Sequence, residues 1–461
     1  MTAEITTTSH RAQVQVGNQL LFFYMGFLAP IVKVAIEFPP VVYQGLVIYL
    51  LIAIGWKGGE ELAALAEHDP AMLYRALGFM VVGFITNFTI GVAAYATLRA
   101  MTNLRRVDAA TVGAYYGSDS AGTFATCLGA LGIMQATALT SALAVAGVSP
   151  SQLGFKEVDL RKVEGGLADT PTLDHWQQEG VSVERVRTAA ELSARYREAS
   201  FMPVMLAVME IPGCLVGLFL VSRLRRAGMD SLGNMPDEAG YQSSSSFDIA
   251  PPPISHSHRR HKKRIAVEEQ NGGELKPVSI FSAELLHEVF LNSGIYLLFG
   301  GIAVGFVGQL QGQSVVDKDN PVFVTLFHGL LCLYLLEMGM TASRRLGDLH
   351  TAGWRFIAFA IIAPNIFATF GMVVAHIYGQ LVGVEFSIGT YTVFAVLCAA
   401  ASYIAVPAIQ RLAIPEASPT LPLAASLGLT FSYNVTIGIT VYSKIAEALF
   451  AYWPITVVHT A

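Results

Sequence analysis

Apolar runs of about twenty residues recur along this chain, and that is the length a helix needs to cross about 30 Å of hydrocarbon. The recurrence narrows the fold to an all-α, polytopic membrane protein, because backbone polar groups inside a bilayer must be satisfied within the protein itself. Charge supports the same conclusion. Only 14 % of the 461 residues are charged, against about a quarter in soluble domains. A soluble protein with buried core helices would show shorter apolar runs and polar faces at helical spacing.

The runs predict about ten spans: 20–37, 41–56, 73–98, 109–131, 201–221, 285–307, 322–340, 356–382, 389–409 and 421–450. Five precede a long polar loop and five follow it. The chain thus divides into an N-terminal arm (1–19), four spans (20–148), an extracytoplasmic insertion (149–199), a fifth span (200–222), a cytoplasmic linker (223–278) and a second set of five spans (279–461). The N-terminus lacks the basic region and small-residue cleavage site of a signal peptide, so targeting falls to the first span. The loops LRAMTNLRRVD, SRLRR, HRRHKKR and SRRLGDLHTAGWR carry clusters of basic residues. Basic loops face the cytoplasm, which places both termini outside the cytoplasm.

Two segments lie outside the spans. The insertion interleaves acids and bases and contains VERVRTAAELSARYRE, a helix-forming stretch. The central loop, from about residue 227 to 277, carries a serine run, Pro251 to Pro253 and the basic–histidine run. That composition predicts disorder in the free chain, either as a spacer near anionic lipid or as a docking segment. Cys127, Cys214, Cys332 and Cys398 all fall in apolar runs and are read as small helix residues. No nucleophile triad, metal cluster or Walker loop is present in the sequence, so neither an enzyme nor an ATP-driven pump is expected, and nothing suggests a nucleic-acid partner.

An odd number of spans per half inverts the second half relative to the first, the layout of an inverted repeat. Both halves interrupt an apolar run near mid-span: YGSDSAGT from Tyr116 in the fourth span, and AASYIAVP from Ala400 in the ninth. MEIPGCLVG in the fifth span likewise corresponds to LTFSYNVTIG in the tenth. A helix broken in a bilayer leaves orphan amides and carbonyls. Exposed amides at a half-helix N-terminus suit a small anion, while freed carbonyls and side-chain oxygens suit sodium. Gly, Ser and Ala at these places also permit plain close packing of helices. Acids within spans are costly and usually functional. Glu210 is either a cation ligand or a buried hydrogen-bonding group, and Glu337 poses the same choice. Asn434 is either a sodium ligand through its amide oxygen or a helix–helix tie, and Lys57 reads as a snorkelling interfacial lysine.

Several segments in order resemble the sodium-dependent bicarbonate transporter superfamily: IGWKGGEEL, VDAATVGAYYGSDSAGTF, MEIPG, FHGLLCLYLLEMGMTASRRLGDL, AASYIAVPAIQRLAIPEASPTL and LGLTFSYNVTIG. The resemblance implies a symporter in the bacterial inner membrane that carries bicarbonate inward with sodium as the co-transported ion and no other cofactor. It implies a homotrimer of ten-helix protomers, each a core of broken, crossed helices that slides elevator-like along a scaffold. It further implies closure by a PII-like protein on the cytoplasmic side. Carried onto this chain, the anion site is Gly117, Ser118, Ser120 and Thr123, faced by Ala401, Ser402 and Tyr403. Asp119 departs from the family's pattern, where relatives often have an apolar residue, and Tyr403 stands where some carry an acid. A carboxylate at 119 would repel an anion it faced, but would ligate sodium if it faced away, so Asp119, Glu210 and Asn434 are the candidate sodium ligands. The alternatives are a carrier of another small anion, proton coupling, a gated anion channel, and a membrane sensor or scaffold regulated through the central loop.

Overall fold

A computed structural model describes residues 18–34, 36, 38–68, 70–148, 182–242, 293–345, 353–403, 406–407, 410 and 413–454. Among these residues every regular element is helical. The sequence expectations for the N-terminal arm, for most of the insertion (149–181) and for residues 243–292 lie outside the described residues. Among the described residues eight helical segments, two of them interrupted, are long and apolar enough to cross a membrane, and two shorter apolar helices, Leu20–Ile31 and Ile388–Ala399, accompany them.

The helices sort into two groups. The first contains α1 (Asn18–Ile31), α2 (Pro40–His68), α9 (Ser293–Gln311), and α10 (Gln313–Asn320) running through a π-helical turn into α11 (Leu326–Arg345). Within it α1 packs along α11, and α2 along α9. The second group holds α3 (Pro70–Met101), α4 (Arg106–Tyr116), α5 (Ala121–Val145), α7 (Met202–Met209), α8 (Ile211–Arg226), α12 (Trp354–Val382), α13 (Ile388–Ala399) and α14 (Leu421–Tyr452). Here α4 packs on α3 and α8, and α13 packs on α12 and α14. Lipid tails are as apolar as leucine, so close backbone approach, not hydrophobicity, holds such helices together.

One such approach corrects a span boundary. The second apolar run was expected to end at Trp56, before Lys57 and the Gly58–Gly59 pair. Instead α2 continues to His68. A Cβ on Gly59 would overlap the Ile302 carbonyl of α9, and one on Gly305 the Trp56 carbonyl. These glycines are therefore packing positions of a continuing helix. Lys57 pairs with Glu60 and Glu61 one turn on, at 3.0 and 3.3 Å, which allows all three charges to lie along that helix.

The central loop also differs at its start. Composition predicted disorder from about residue 227, yet residues 227–242 form a compact cap. Asp230 accepts the backbone N–H groups of Leu232, Asn234 and Gln242. Glu238 accepts those of Arg106 and Met235, and Met235 and Asn234 are buried beneath. A few carboxylates satisfying loop amides, with Met235 anchored in the apolar cluster below, order a polar segment, which composition alone does not register.

The cap sits beside a charged brace at the start of α4. Asp108, in the first turn, receives Arg105 Nε at 2.7 Å and Nη2 at 3.0 Å, and accepts the Ser418 backbone N–H at 2.7 Å. The carboxylate thus meets the positive end of the helix and ties the first half of the chain to the second. Asp108→Ala is expected to cost about 2–3 kcal/mol, the value of hydrogen bonds to a charged group, read as a lowered unfolding temperature in detergent. An unchanged temperature would show the brace to be incidental.

From the insertion, α6 (Val183–Ala194) lies on the second half of α5, burying Val186, Ala189 and Ala190 against Leu143 and Val148. The chain after it pins the start of α13. The Gly389 N–H donates to the Arg195 carbonyl, and Thr390 Oγ1 accepts the Ala199 N–H.

Candidate functional site

The second group of helices is interrupted at three places that meet. Between α4 and α5, residues Gly117 to Ser120 leave the helix, and Ser120, in extended conformation, caps α5 by accepting the Thr123 N–H at 3.3 Å. Thr123 Oγ1 donates to the same oxygen at 3.1 Å. After α13 the backbone is extended at Ala400. Between α7 and α8, Pro212 has no N–H to donate to Val208, and the turn falls at Glu210.

These interruptions are bound to one another. The Ser402 backbone N–H donates to the Tyr115 carbonyl at 2.9 Å, so the second break satisfies an orphan acceptor of the first. Ser402 Oγ donates to Glu210 Oε1 at 2.8 Å, and Ser118 Oγ to the Glu210 carbonyl at 2.5 Å. Gly213 lets α8 approach: a Cβ there would overlap the Ala114 carbonyl and lie 2.6 Å from Ser118 Cβ. Residues far apart in sequence thus form a single polar knot within apolar helices.

Both of the fully buried asparagines in this region bind carbonyls freed by the breaks. Asn434 Nδ2 donates to the Ala399 carbonyl at 3.1 Å, and its Oδ1 accepts the Tyr442 hydroxyl at 2.7 Å. Asn87, on α3, donates to the carbonyls of Met209 at 3.1 Å and Leu397 at 3.5 Å.

Asp119 is completely buried and neither carboxylate oxygen meets an N–H or hydroxyl donor. The carboxylate of Glu210 lies against it, and the thiol of Cys398 is close enough to feel its charge. Two adjacent acids inside a bilayer cannot both stay charged at low cost, and a shared proton or a cation would offset them.

A narrow cavity of about 20 Å³, a water-sized space, opens beside this knot. It is lined by Ser120, Ala121, Glu210, Ser402 and Tyr403 from the second helix group, and by Leu51, Ile295 and Leu298 from the first. Of the proposed anion residues, Ser120, Ser402 and Tyr403 reach this space. Gly117, Ser118, Thr123 and Ala401 are buried behind it, Gly117 backing onto Gly91, Gly213 and the Asn87 carbonyl. Asp119 does not line the cavity and Glu210 does. Asn434 stands behind the second break, its amide oxygen already engaged.

Two residues with a place here were not picked out from the sequence. Asn87 gave one signal, an amide in the apolar run GFITNFTIG. Tyr334, on α11, shares a 2.8 Å hydrogen bond with Tyr403 and stacks on Tyr43, so it reaches across the boundary between the helix groups. Nothing in YLLEMGM marked it.

No curated protein matches the chain. The model of the Na+-dependent bicarbonate transporter superfamily matches residues 19–148 and 181–447, which takes in every element of the polar knot and leaves out most of the insertion. The family is one of transporters and not of enzymes, and a multi-pass helical fold with a polar break at its centre fits it. This chain belongs to the Na+-dependent bicarbonate transporter superfamily.

Proposed function

We propose that the protein is a symporter that moves bicarbonate with sodium, using the knot of broken helices as the shared site. The observation that carries this reading is the pairing of opposite preferences in one place. The first turn of α5, with its amides and the Ser120 hydroxyl, suits a small planar anion. The Asp119–Glu210 pair suits a cation.

Their proximity supplies a coupling. Glu210 lines the anion's cavity, and its charge opposes an anion in a medium of low dielectric. Sodium bound between the two carboxylates would cancel that opposition, so each ion improves the site for the other. Bicarbonate is therefore expected to raise the unfolding temperature of the purified protein strongly in sodium and little in potassium. Sodium bicarbonate should exceed the summed effects of sodium chloride and potassium bicarbonate. An equal shift with potassium bicarbonate would sink the coupled reading and favour a carrier of the anion alone.

The same reading includes a ten-span inverted repeat. It is supported by helix pairing that is unchanged when the halves are exchanged: α1 with α11 answers α9 with α2, and α3 with α4 answers α12 with α13. It also includes elevator movement of the second helix group along the first. The boundary there is largely apolar, with Leu51, Ile295 and Leu298 facing the cavity, which suits sliding. Against it the Tyr334–Tyr403 hydrogen bond acts as a catch. Tyr334→Phe removes about 1 kcal/mol from one end state, a shift of about fivefold in the population. Uptake rate is expected to change severalfold while the sodium half-saturation of binding stays within about twofold, a range well under 1 kcal/mol. Wild-type rates would show that the bond is not made in a rate-determining state. Trimerisation, the bacterial inner membrane, termini outside the cytoplasm and a PII-like partner belong to the same proposal and rest on the family.

A further inference from the structure

We propose that Asn87 supplies a neutral oxygen ligand to the cation bound at Asp119, an inference that rests on the sodium reading above. Asn87 is completely buried, and its Oδ1 has no hydrogen-bond partner. Both amide donations run to carbonyls, of Met209 and Leu397, and this fixes which end of the amide is free. The groups that hold Asn87 adjoin those around Asp119. Met209 precedes Glu210, Leu397 precedes Cys398, and Gly117, which backs onto the Asn87 main chain, is two residues from Asp119.

The comparison with Asn434 sharpens the assignment. Both asparagines are buried and both tie down carbonyls at a break. Asn434 has its oxygen occupied by Tyr442, and its geometry is complete as a helix tie. Asn87 has an oxygen left over. A buried amide oxygen without a donor costs about 1–3 kcal/mol, and one more hard oxygen is what a small cation next to a carboxylate needs. A neutral ligand also adds no charge to a site that already holds two acids, so the bound state can approach neutrality once the anion enters.

The test is a sodium chloride titration of the purified full chain, with choline chloride holding ionic strength constant, followed by thermal unfolding. Asn87→Ala is expected to move the sodium midpoint at least tenfold upward and to alter the lithium-to-sodium ratio. Asn434→Ala is expected to lower the sodium-free unfolding temperature with a far smaller midpoint shift. A wild-type midpoint and cation ratio in Asn87→Ala, with only a lower sodium-free temperature, would make Asn87 a helix tie and overturn the proposal. Should the alanine variant not fold, Asn87→Ser, whose shorter side chain withdraws the oxygen, is read by the same criteria. Absence of any sodium effect in the wild-type protein would refute the sodium reading itself, an outcome distinct from failure at Asn87 alone.

Discussion

Asp119→Asn is expected to raise the sodium half-saturation of uptake about 100-fold, equivalent to about 3 kcal/mol. A carboxylate taken fully out of water has lost its hydration and must recover that energy from donors or a cation. Asp119 meets no N–H or hydroxyl donor on either oxygen, and another acid lies against it. A bound cation would supply the compensation, and the loss is then that of one charged ligand, in the range of about 2–5 kcal/mol seen when one member of a buried charge pair is removed. Asparagine has nearly the same shape and removes a like-charge repulsion, so the variant should still fold. Uptake measured against sodium concentration checks the prediction. An unchanged sodium requirement would mean that Asp119 is structural and that the coupling ion binds elsewhere.

Gly213→Val should leave no properly folded protein in the membrane. A Cβ at this position overlaps the Ala114 carbonyl and stands 2.6 Å from Ser118 Cβ and 2.8 Å from the Ser118 nitrogen. Ala114 and Ser118 belong to backbone that the crossing holds in place, so they cannot step aside as a flexible side chain would. Either α8 moves away from α4, which breaks the Ser118 bond to the Glu210 carbonyl, or the break itself is rebuilt. Overpacking a core by single methylenes already costs about 1–3 kcal/mol, and a β-branched side chain here should exceed that. Size-exclusion profiles of tagged protein should show aggregate for Val and a reduced monodisperse peak for Ala. Gly132→Ala, where nothing lies within 4 Å of the added carbon, should behave as wild type. A monodisperse, transport-competent Gly213→Val protein would show that the crossing is looser than described.

How far the sequence reveals this site depends on whether a residue's role is local. The breaks at Gly117–Ser120 and after Ala399 were legible because glycine and hydroxylated residues interrupt runs that are otherwise apolar. Glu210 was legible because a charge inside a span is costly. Of the two asparagines only Asn434 was singled out, although each is one amide in an apolar run. What separates them is whether a hydroxyl reaches the amide oxygen, and the carbonyls that orient Asn87 come from residues 122 and 310 positions away. Tyr334 was hidden for a similar reason, because its partner lies on the other helix group. The Gly58–Gly59 pair misled in the opposite direction. Glycine marks both helix ends and close helix contacts, and only the position of α9 shows which applies. The ordered start of the central loop was lost because composition averages over residues, whereas Asp230 and Glu238 act individually.

The proposed function is a symport in which sodium and bicarbonate share the knot of broken helices and move together. It is tested most directly by labelled inorganic carbon uptake into proteoliposomes at a pH where bicarbonate dominates, with and without an inward sodium gradient. Accumulation above equilibrium is expected, requiring the gradient and lost in Asp119→Asn at the same sodium concentration. Uptake that never exceeds equilibrium, or that proceeds equally in potassium, would contradict it.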